Sequence, residues 1–298
     1  MLTVDRLHAM HVRHLRAMRR SEHTIRFYAV AARKFGAWLA EQDKDDLTAL
    51  ARADISEFQL WLREGGLAPG GEHAILRGVR GLLRFGVEEE LLRGDVFKRV
   101  KLPRLPDDPP PAAQPYEVAE LLRVAREGPH PLRDRAMVML AYDTGLRASE
   151  LVALTVRDVD LTRGLVTVQR GKGGKPRTVP FGVRSGQAVN RYMGRERRPI
   201  REDVDTLFLS HVGMPMTPGG LTQLLERLAA AAGLPRANVA PHALRRGFAV
   251  EVLRRGTDVF ALQQMLGHST LEMSRRYVRY LPNDLQRQHV TASPGDHL

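Results

Sequence analysis

The sequence predicts a mainly α, α+β protein in two parts: a small four-helix domain, then a larger mixed α/β domain with one β-hairpin or small sheet. Three observations carry this. Residues 4–90 hold four runs of apolar residues at helical spacing. Residues 103–115 contain six prolines, which remove backbone donors and favour an extended chain. Residues 157–182 are the one stretch whose apolar period shortens toward that of a strand. The domain limits are therefore 1–103, a Pro-rich linker 104–115, and 116–298.

The first helix, over about residues 4–19, is rich in Arg and His. His8, His11 and His14 drift around it by about 60° per step, so they do not converge on one metal. Ser21 is a good N-cap for a helix over Glu22–Glu41, and Asp54 is expected to cap a third that ends at Gly65-Gly66. A fourth runs from about Pro69 to Glu90. Arg26, Arg33, Arg77, Arg80 and Arg84 lie on helix flanks, either as a solvated face or as phosphate contacts. In the second part, helices are expected over 115–127, 131–143, 148–154, 184–197, 217–232, 241–254, 258–266 and 270–279. The segments V-T-V and T-V-P-F flank the turn G-K-G-G-K and read as a hairpin.

Composition narrows the class. The chain of 298 residues has 43% hydrophobic residues, enough for a real core, and a net charge of +12. Residues 1–103 carry 18 Lys+Arg against 14 Asp+Glu, and residues 104–298 carry 28 against 20, so both parts suit a polyanion, most often nucleic acid. The absence of cysteine excludes disulfides, thiolate metal sites and Cys nucleophiles. No apolar run reaches the roughly 18 residues of a membrane span, and the N-terminus lacks a signal peptide's apolar core, so a cytoplasmic protein with no membrane partner is expected. No metal or cofactor is expected.

Residues 240–280 gather His242, Arg245, His268 and Tyr277, side chains that can grip a phosphodiester and attack it. Pro241 suits a first helical turn. At about 100° per residue His242, Arg245 and Arg246 share one flank, beside a core-facing stripe of Leu244, Phe248 and Val252. His268 follows Gly267, just past a helix end. Earlier, T-G-L-R-A-S-E-L presents Arg147 at a helix start, with Glu150 placed to hold its guanidinium or to form an ordinary surface pair. Lys172 and Lys175 are two of only six lysines and share the hairpin turn. A lysine can release a proton where an arginine effectively cannot.

The set T-G-L-R-A-S-E-L, G-K-G-G-K-P-R-T-V-P, H-A-L-R-R and L-G-H-S-T-L-E-M-S-R-R-Y, in this order, resembles the signature of the tyrosine recombinases, the phage-integrase and Xer-type family. The first part resembles that family's helical, SAM-like core-binding domain, and the second its catalytic domain. The resemblance implies a site-specific DNA recombinase that cuts and rejoins duplex DNA through a 3′-phosphotyrosine intermediate. Tyr277 matches the nucleophile; Tyr280 is the rival, and the spacing from His268 favours Tyr277. Arg147 and Arg245 match the phosphate-clamping arginines, and His268 a further phosphate ligand. His242 matches the group that helps move the tyrosine proton. Lys172 matches the general acid for the leaving 5′-oxygen, and Glu150 the supporting acid. Arg246 stands where the family often has a second His and is read as a supporting residue. Lys175 and Arg177 are expected to touch DNA, with the five helix-flank arginines. A monomer is expected in solution and a homo- or hetero-tetramer on DNA, with the residues after Tyr280 exchanged between protomers. The alternatives are a catalytically silent DNA-binding protein on the same fold and a type IB topoisomerase-like activity. No further domain is expected before the helical one, so an arm-site-binding, lambda-like integrase is the less expected type.

Overall fold

A computed structural model describes residues 1–104, 109–169, 176–268, 270–280 and 293. The chain divides into two compact units, Met1–Asp107 and Asp108–Leu298.

The first unit contains α1 (Val4–Ala17), α2 (Glu22–Glu41), α3 (Arg52–Glu64) and α4 (Pro69–Glu88). Thr3 and Ser21 cap α1 and α2 by accepting the N–H groups of Arg6 and Thr24. Asp54 is not the N-cap of α3. The helix starts two residues earlier, and the Asp54 carboxylate reaches back to the Ala51 N–H at 2.6 Å while also holding Lys44. A carboxylate in the first helical turn accepts the N-cap residue's own N–H, whereas an N-cap side chain would accept one from further inside the turn. Apolar stripes from all four helices close on Phe35, Trp38, Phe58, Leu76 and Val79. Helices α2 and α4 approach closely because Gly78 has no side chain: a Cβ there would lie 2.5 Å from that of Ala31. His11 is 5% exposed, with its ring 4.4 Å from Tyr28 and 4.7 Å from Phe85.

The second unit opens with α5 (Pro115–Ala125), α6 (Pro131–Thr144) and α7 (Ala148–Val152). Helix α6 is buried on most sides, with Ala136, Met137, Val138 and Leu140 all inaccessible, and packs against α5 and against the later helices Val183–Arg195 and Pro241–Arg254. The sheet is antiparallel in the order β1-β2-β3: Val159–Asp160, Leu165–Val168 and Arg177–Pro180. Val166 pairs with Val179 and Val168 with Arg177, which puts one valine face in the core. Helices α8 (Val183–Arg195), α9 (Pro218–Ala232), α10 (Arg236–Val239), α11 (Pro241–Arg254), α12 (Val259–Leu266) and α13 (Leu271–Arg275) follow, and a 3₁₀ turn spans Arg276–Tyr280. One turn of helix such as α10 is too short to show a period. The stretch expected as a single helix over 270–279 changes to 3₁₀ geometry after Arg275. Ala112 and Ala113, expected in the linker, are buried in the second unit. Among the described residues no helix is long and apolar enough to cross a membrane.

Burial, then the neighbouring His14 and His8, pushes His11 down to about 4. A base with a depressed folded pKa favours folding while neutral, so stability is complete above the ordinary value of 6.5 and falls as pH drops toward 4. The expected loss is up to about 3 kcal/mol. Both tryptophans, Trp38 and Trp61, lie in the first unit, so their fluorescence in urea reports it alone. His11→Phe should flatten most of this acid limb; an unchanged limb would remove His11 as its source.

Candidate active site

The site is built where helix ends meet. Helix α6 stops at Gly145, which is left-handed (φ 59°), and a Cβ there would lie 2.3 Å from the ring of Phe248. That turn starts α7 at once and makes Arg147 its N-cap residue. Glu150, in the first turn, accepts the Arg147 N–H at 2.8 Å with one oxygen and the Arg147 guanidinium at 2.8 Å with the other.

Glu150 also receives a second guanidinium. Arg177, at the start of β3, donates to both carboxylate oxygens at 2.9 and 2.7 Å. Its Nε donates to the Met265 carbonyl at 3.0 Å, and its chain packs on Gly267. The side chain is only 11% exposed. Arg177 is therefore a brace between the sheet, α7 and the end of α12. The signal was present in the strand alternation: Arg177 shares a face with buried Val179. Burial opposes ionisation of Glu150, but the bonds from Arg177 and the Arg147 N–H outweigh it and hold the carboxyl at about 2.

Arg245, on α11, is 5% exposed. Its guanidinium donates to the Gly145 carbonyl at 2.6 Å and the Leu266 carbonyl at 2.8 Å. Both acceptors lie at helix C-terminal ends, where unpaired carbonyls and the helix dipole favour a cation. Burial, then Arg147, lowers Arg245 to about 10, so it keeps its charge at neutral pH.

His268 follows Gly267, the left-handed residue (φ 63°) that ends α12. Its Nε2 lies 3.1 Å from Arg245 Nη2, and its Nδ1 lies 2.8 Å from the hydroxyl of buried Ser274. A guanidinium only donates, so Nε2 accepts and the ring proton sits on Nδ1, donating to Ser274. Burial first, then Arg245, Arg147 and Arg177, pushes His268 down to about 4. Ser274 was not singled out from the sequence, which offers no pattern for it.

Tyr277 lies on the 3₁₀ turn, half-buried, with its ring stacked on that of His268 at 6.0 Å and 14°. His242, in the first turn of α11, is exposed at the rim. Partial burial, then Arg246, Arg245 and Arg147, lowers it from its ordinary value. Arg246 turns away and donates to the Pro111 carbonyl at 2.7 Å. The structure thus joins Arg147, Glu150, Arg245, His268 and Tyr277. Lys172 and Lys175 lie outside the described residues. Arg26, Arg33, Arg77, Arg80 and Arg84 are exposed on α2 and α4, with Arg77 over the Phe27 ring at 5.3 Å and Arg84 paired with Glu88 at 2.8 Å.

A helical scaffold that brings two arginines, a histidine and a tyrosine together at these helix ends defines a tyrosine recombinase. Residues 113–283 match the model of the phage integrase family. The tyrosine recombinase XerC of Roseiflexus sp. (strain RS-1) is 32% identical over 290 residues, covering 95% of this chain and 91% of that protein. The tyrosine recombinase XerD of Vibrio cholerae serotype O1 is 31% identical over 277 residues, covering 92% and 91%. The Tn1549 transposon integrase, solved with transposon right end DNA, shares the fold with a TM-score of 0.80 at 21% identity, over 98% of this chain and 99% of that one. The XerH recombinase, solved on palindromic difH, does so at 0.70 and 24%, over 91% and 80%. The chain belongs to the phage integrase family and is a site-specific recombinase that acts on DNA.

Two outcomes test the electrostatics. In imidazole NMR of the DNA-free protein His268 should titrate near 4, and Arg177→Met should raise it by removing one of the cations that lower it; a histidine titrating at its ordinary value contradicts the arrangement. Glu150→Ala strands two guanidiniums and should cost about 3–5 kcal/mol in calorimetric unfolding of the second unit.

Proposed function

We propose that Tyr277 is the nucleophile of DNA cleavage, gripped to its task by Arg147, Arg245 and His268. The carrying observation is the Tyr277 ring stacked on His268, whose imidazole touches the buried, carbonyl-fixed guanidinium of Arg245. The Tyr277 oxygen attacks the scissile phosphorus, the bond to the 5′-oxygen breaks, and a 3′-phosphotyrosine and a free 5′-hydroxyl result. Reversal by another strand's 5′-hydroxyl reseals the backbone, so the phosphodiester energy is conserved.

The roles follow from the physical chemistry. Tyrosine ordinarily titrates near 10, so it needs a base or a cationic field at neutral pH. Arg147 and Arg245 supply that field and stabilise the charge that builds on the non-bridging oxygens; a fixed donor of this kind is typically worth roughly 3–4 kcal/mol. His242 at the rim helps move the tyrosine proton. His268 is neutral without DNA, and a phosphodiester's negative charge opposes the cations that lower it, so DNA binding raises its proton affinity. Lys172 is read as the acid that protonates the leaving oxygen, in line with the hairpin motif. Glu150 aims Arg147.

The helical domain, residues 1–103, serves as the core DNA-binding domain, with Arg26, Arg33, Arg77, Arg80 and Arg84 on the phosphate backbone. The catalytic domain spans 116–298. The protein is a monomer in solution; on DNA it forms a homo- or hetero-tetramer, because exchanging two duplexes requires four tyrosines.

The test is covalent trapping in cells, followed by sequencing of the DNA held on the protein and in vitro cleavage of a nicked duplex carrying that sequence. Wild type should form the adduct, and Tyr277→Phe should bind the same duplex but form none. Binding without an adduct in wild type would point to a silent DNA-binding protein, and relaxation of plasmids lacking the site to a topoisomerase. Affinity should also fall steeply with salt as counterions are released.

A further inference from the structure

The helix that carries His242 and Arg245 has a second face in use. At about 100° per residue, Ala243 and Gly247 sit side by side on the side away from Arg245, with Arg246 at the edge between that face and the flank of His242 and Arg245. Residues 110–113 lie along them. Ala113 donates its N–H to the Ala243 carbonyl at 3.0 Å. The Ala113 carbonyl rests on Gly247, where a Cβ would come within 2.3 Å of it. Arg246 Nε donates to the Pro111 carbonyl at 2.7 Å, and the Tyr280 hydroxyl donates to the Pro110 carbonyl at 2.6 Å.

That last contact bears on the chemistry because Tyr280 closes the 3₁₀ turn that holds Tyr277. Hydrogen bonds in 3₁₀ turns have poor geometry, and no residue of this one is buried. Its own backbone therefore fixes it weakly, and of its residues only Tyr277 packs against the apolar cluster of Phe248, Leu262 and Leu266. Consecutive prolines, by contrast, have φ set by their rings, so their carbonyls are presented with little further loss of entropy. Pro110 and Pro111 make a stiff row of acceptors, seated on α11 by Ala113 and Arg246.

We propose that this strap positions the nucleophile: Arg246 holds the Pro110–Pro111 carbonyls on α11, and Tyr280 uses the Pro110 carbonyl to hold the Tyr277 turn at the Arg245–His268 cluster. The inference rests on Tyr277 being the nucleophile. Arg246 and Tyr280 are positioning residues, since neither touches the reacting atoms. It gives each a task that the cleavage chemistry leaves unassigned. It also separates the two neighbouring tyrosines: one hydroxyl serves the reaction and the other is spent on a carbonyl.

The test uses the full chain with Tyr280→Phe, Arg246→Ala, Arg246→Lys and the double variant Tyr280→Phe/Arg246→Ala. Backbone hydrogen exchange without DNA is read first. Loss of one such hydrogen bond should speed exchange of residues 276–280 by about fivefold to tenfold and leave residues 259–266 unchanged. Arg246→Lys, which keeps a donor on a long stem, should lie nearer to wild type than Arg246→Ala. Adduct formation is read next, at saturating nicked duplex carrying the sequence trapped on wild-type protein. Each single variant should be about fivefold to tenfold slower, with duplex affinity within about twofold of wild type. The double variant should be no slower than the slower single one, because either change frees the same strap. Unchanged exchange over 276–280 in Tyr280→Phe overturns the proposal whatever the activity. So does faster exchange with an unchanged adduct rate, or a fall in affinity that accounts for the fall in rate. A wild-type protein that forms no adduct defeats the assignment of Tyr277 instead, and the exchange data then still decide whether the strap holds the turn.

Discussion

Everything at the site depends on one carboxylate. Arginine effectively does not deprotonate in a protein, so guanidiniums drawn into a poorly hydrated cluster repel one another and lose hydration. Glu150 makes the cluster tolerable by taking two of them, Arg147 and Arg177, on the same pair of oxygens. Its ionisation is in turn secured by those donors and by a backbone N–H, which hold it at about 2. The pairing also ties three elements that are far apart in sequence: the start of α7, the start of β3 and, through Arg177, the end of α12. Arg245 needs no carboxylate because it is placed differently. It sits at the C-terminal ends of α6 and α12, where main-chain carbonyls carry partial negative charge.

Helix termination is therefore as much a part of the site as the polar side chains. Gly145 and Gly267 are both left-handed, and each ends a helix at the point where a carbonyl must face Arg245 or a functional residue must follow within two positions. Gly145 has a second reason to lack a side chain, since Phe248 of α11 packs against its Cα. The same helix that seats Phe248 in the small apolar cluster with Leu262 and Leu266 thus delivers Arg245 one turn earlier. Packing fixes the guanidinium's position, and the helix ends fix its orientation.

Much of this was legible in the sequence because its causes are local. Ser21, Pro69, Pro115, Pro131 and Pro241 mark helix starts, and Gly145 and Gly267 mark ends, through backbone rules that operate over a few residues. Glu150 with Arg147 was legible as a first-turn pair. What escaped was set by contacts distant in sequence. Arg177 is spent on a carboxylate 27 residues away and a carbonyl 88 residues away. Its inward face could be read from Val179, but its partners could not. Ser274 matters only because His268 turns toward it. Asp54 stands in the first turn of α3 and not at its N-cap, and sequence alone does not separate the two because a carboxylate suits both. Tyr277 was expected on a continuous helix, and no local rule announces the change to 3₁₀ geometry that follows Arg275.

The charge count of the cluster indicates which state of the reaction it suits. Arg147, Arg177 and Arg245 against Glu150 leave an excess of two positive charges among the described residues. A bound phosphodiester supplies one negative charge. With Tyr277 as the proposed nucleophile, attack by its oxygen without the proton gives the reacting group two, until the leaving oxygen is protonated. The site is therefore closer to neutral around the reacting phosphorus than around the ground-state diester. Interactions that strengthen between those two states lower the barrier, whereas uniform attraction only tightens binding. His268 adds a graded element. It is neutral in the free protein because burial and then the guanidiniums hold it near 4, and each negative charge gathered at the phosphate weakens the guanidiniums' part of that hold. A donor whose proton affinity grows with the charge it must stabilise is matched to the transition state in the same sense as the arginines that tune it.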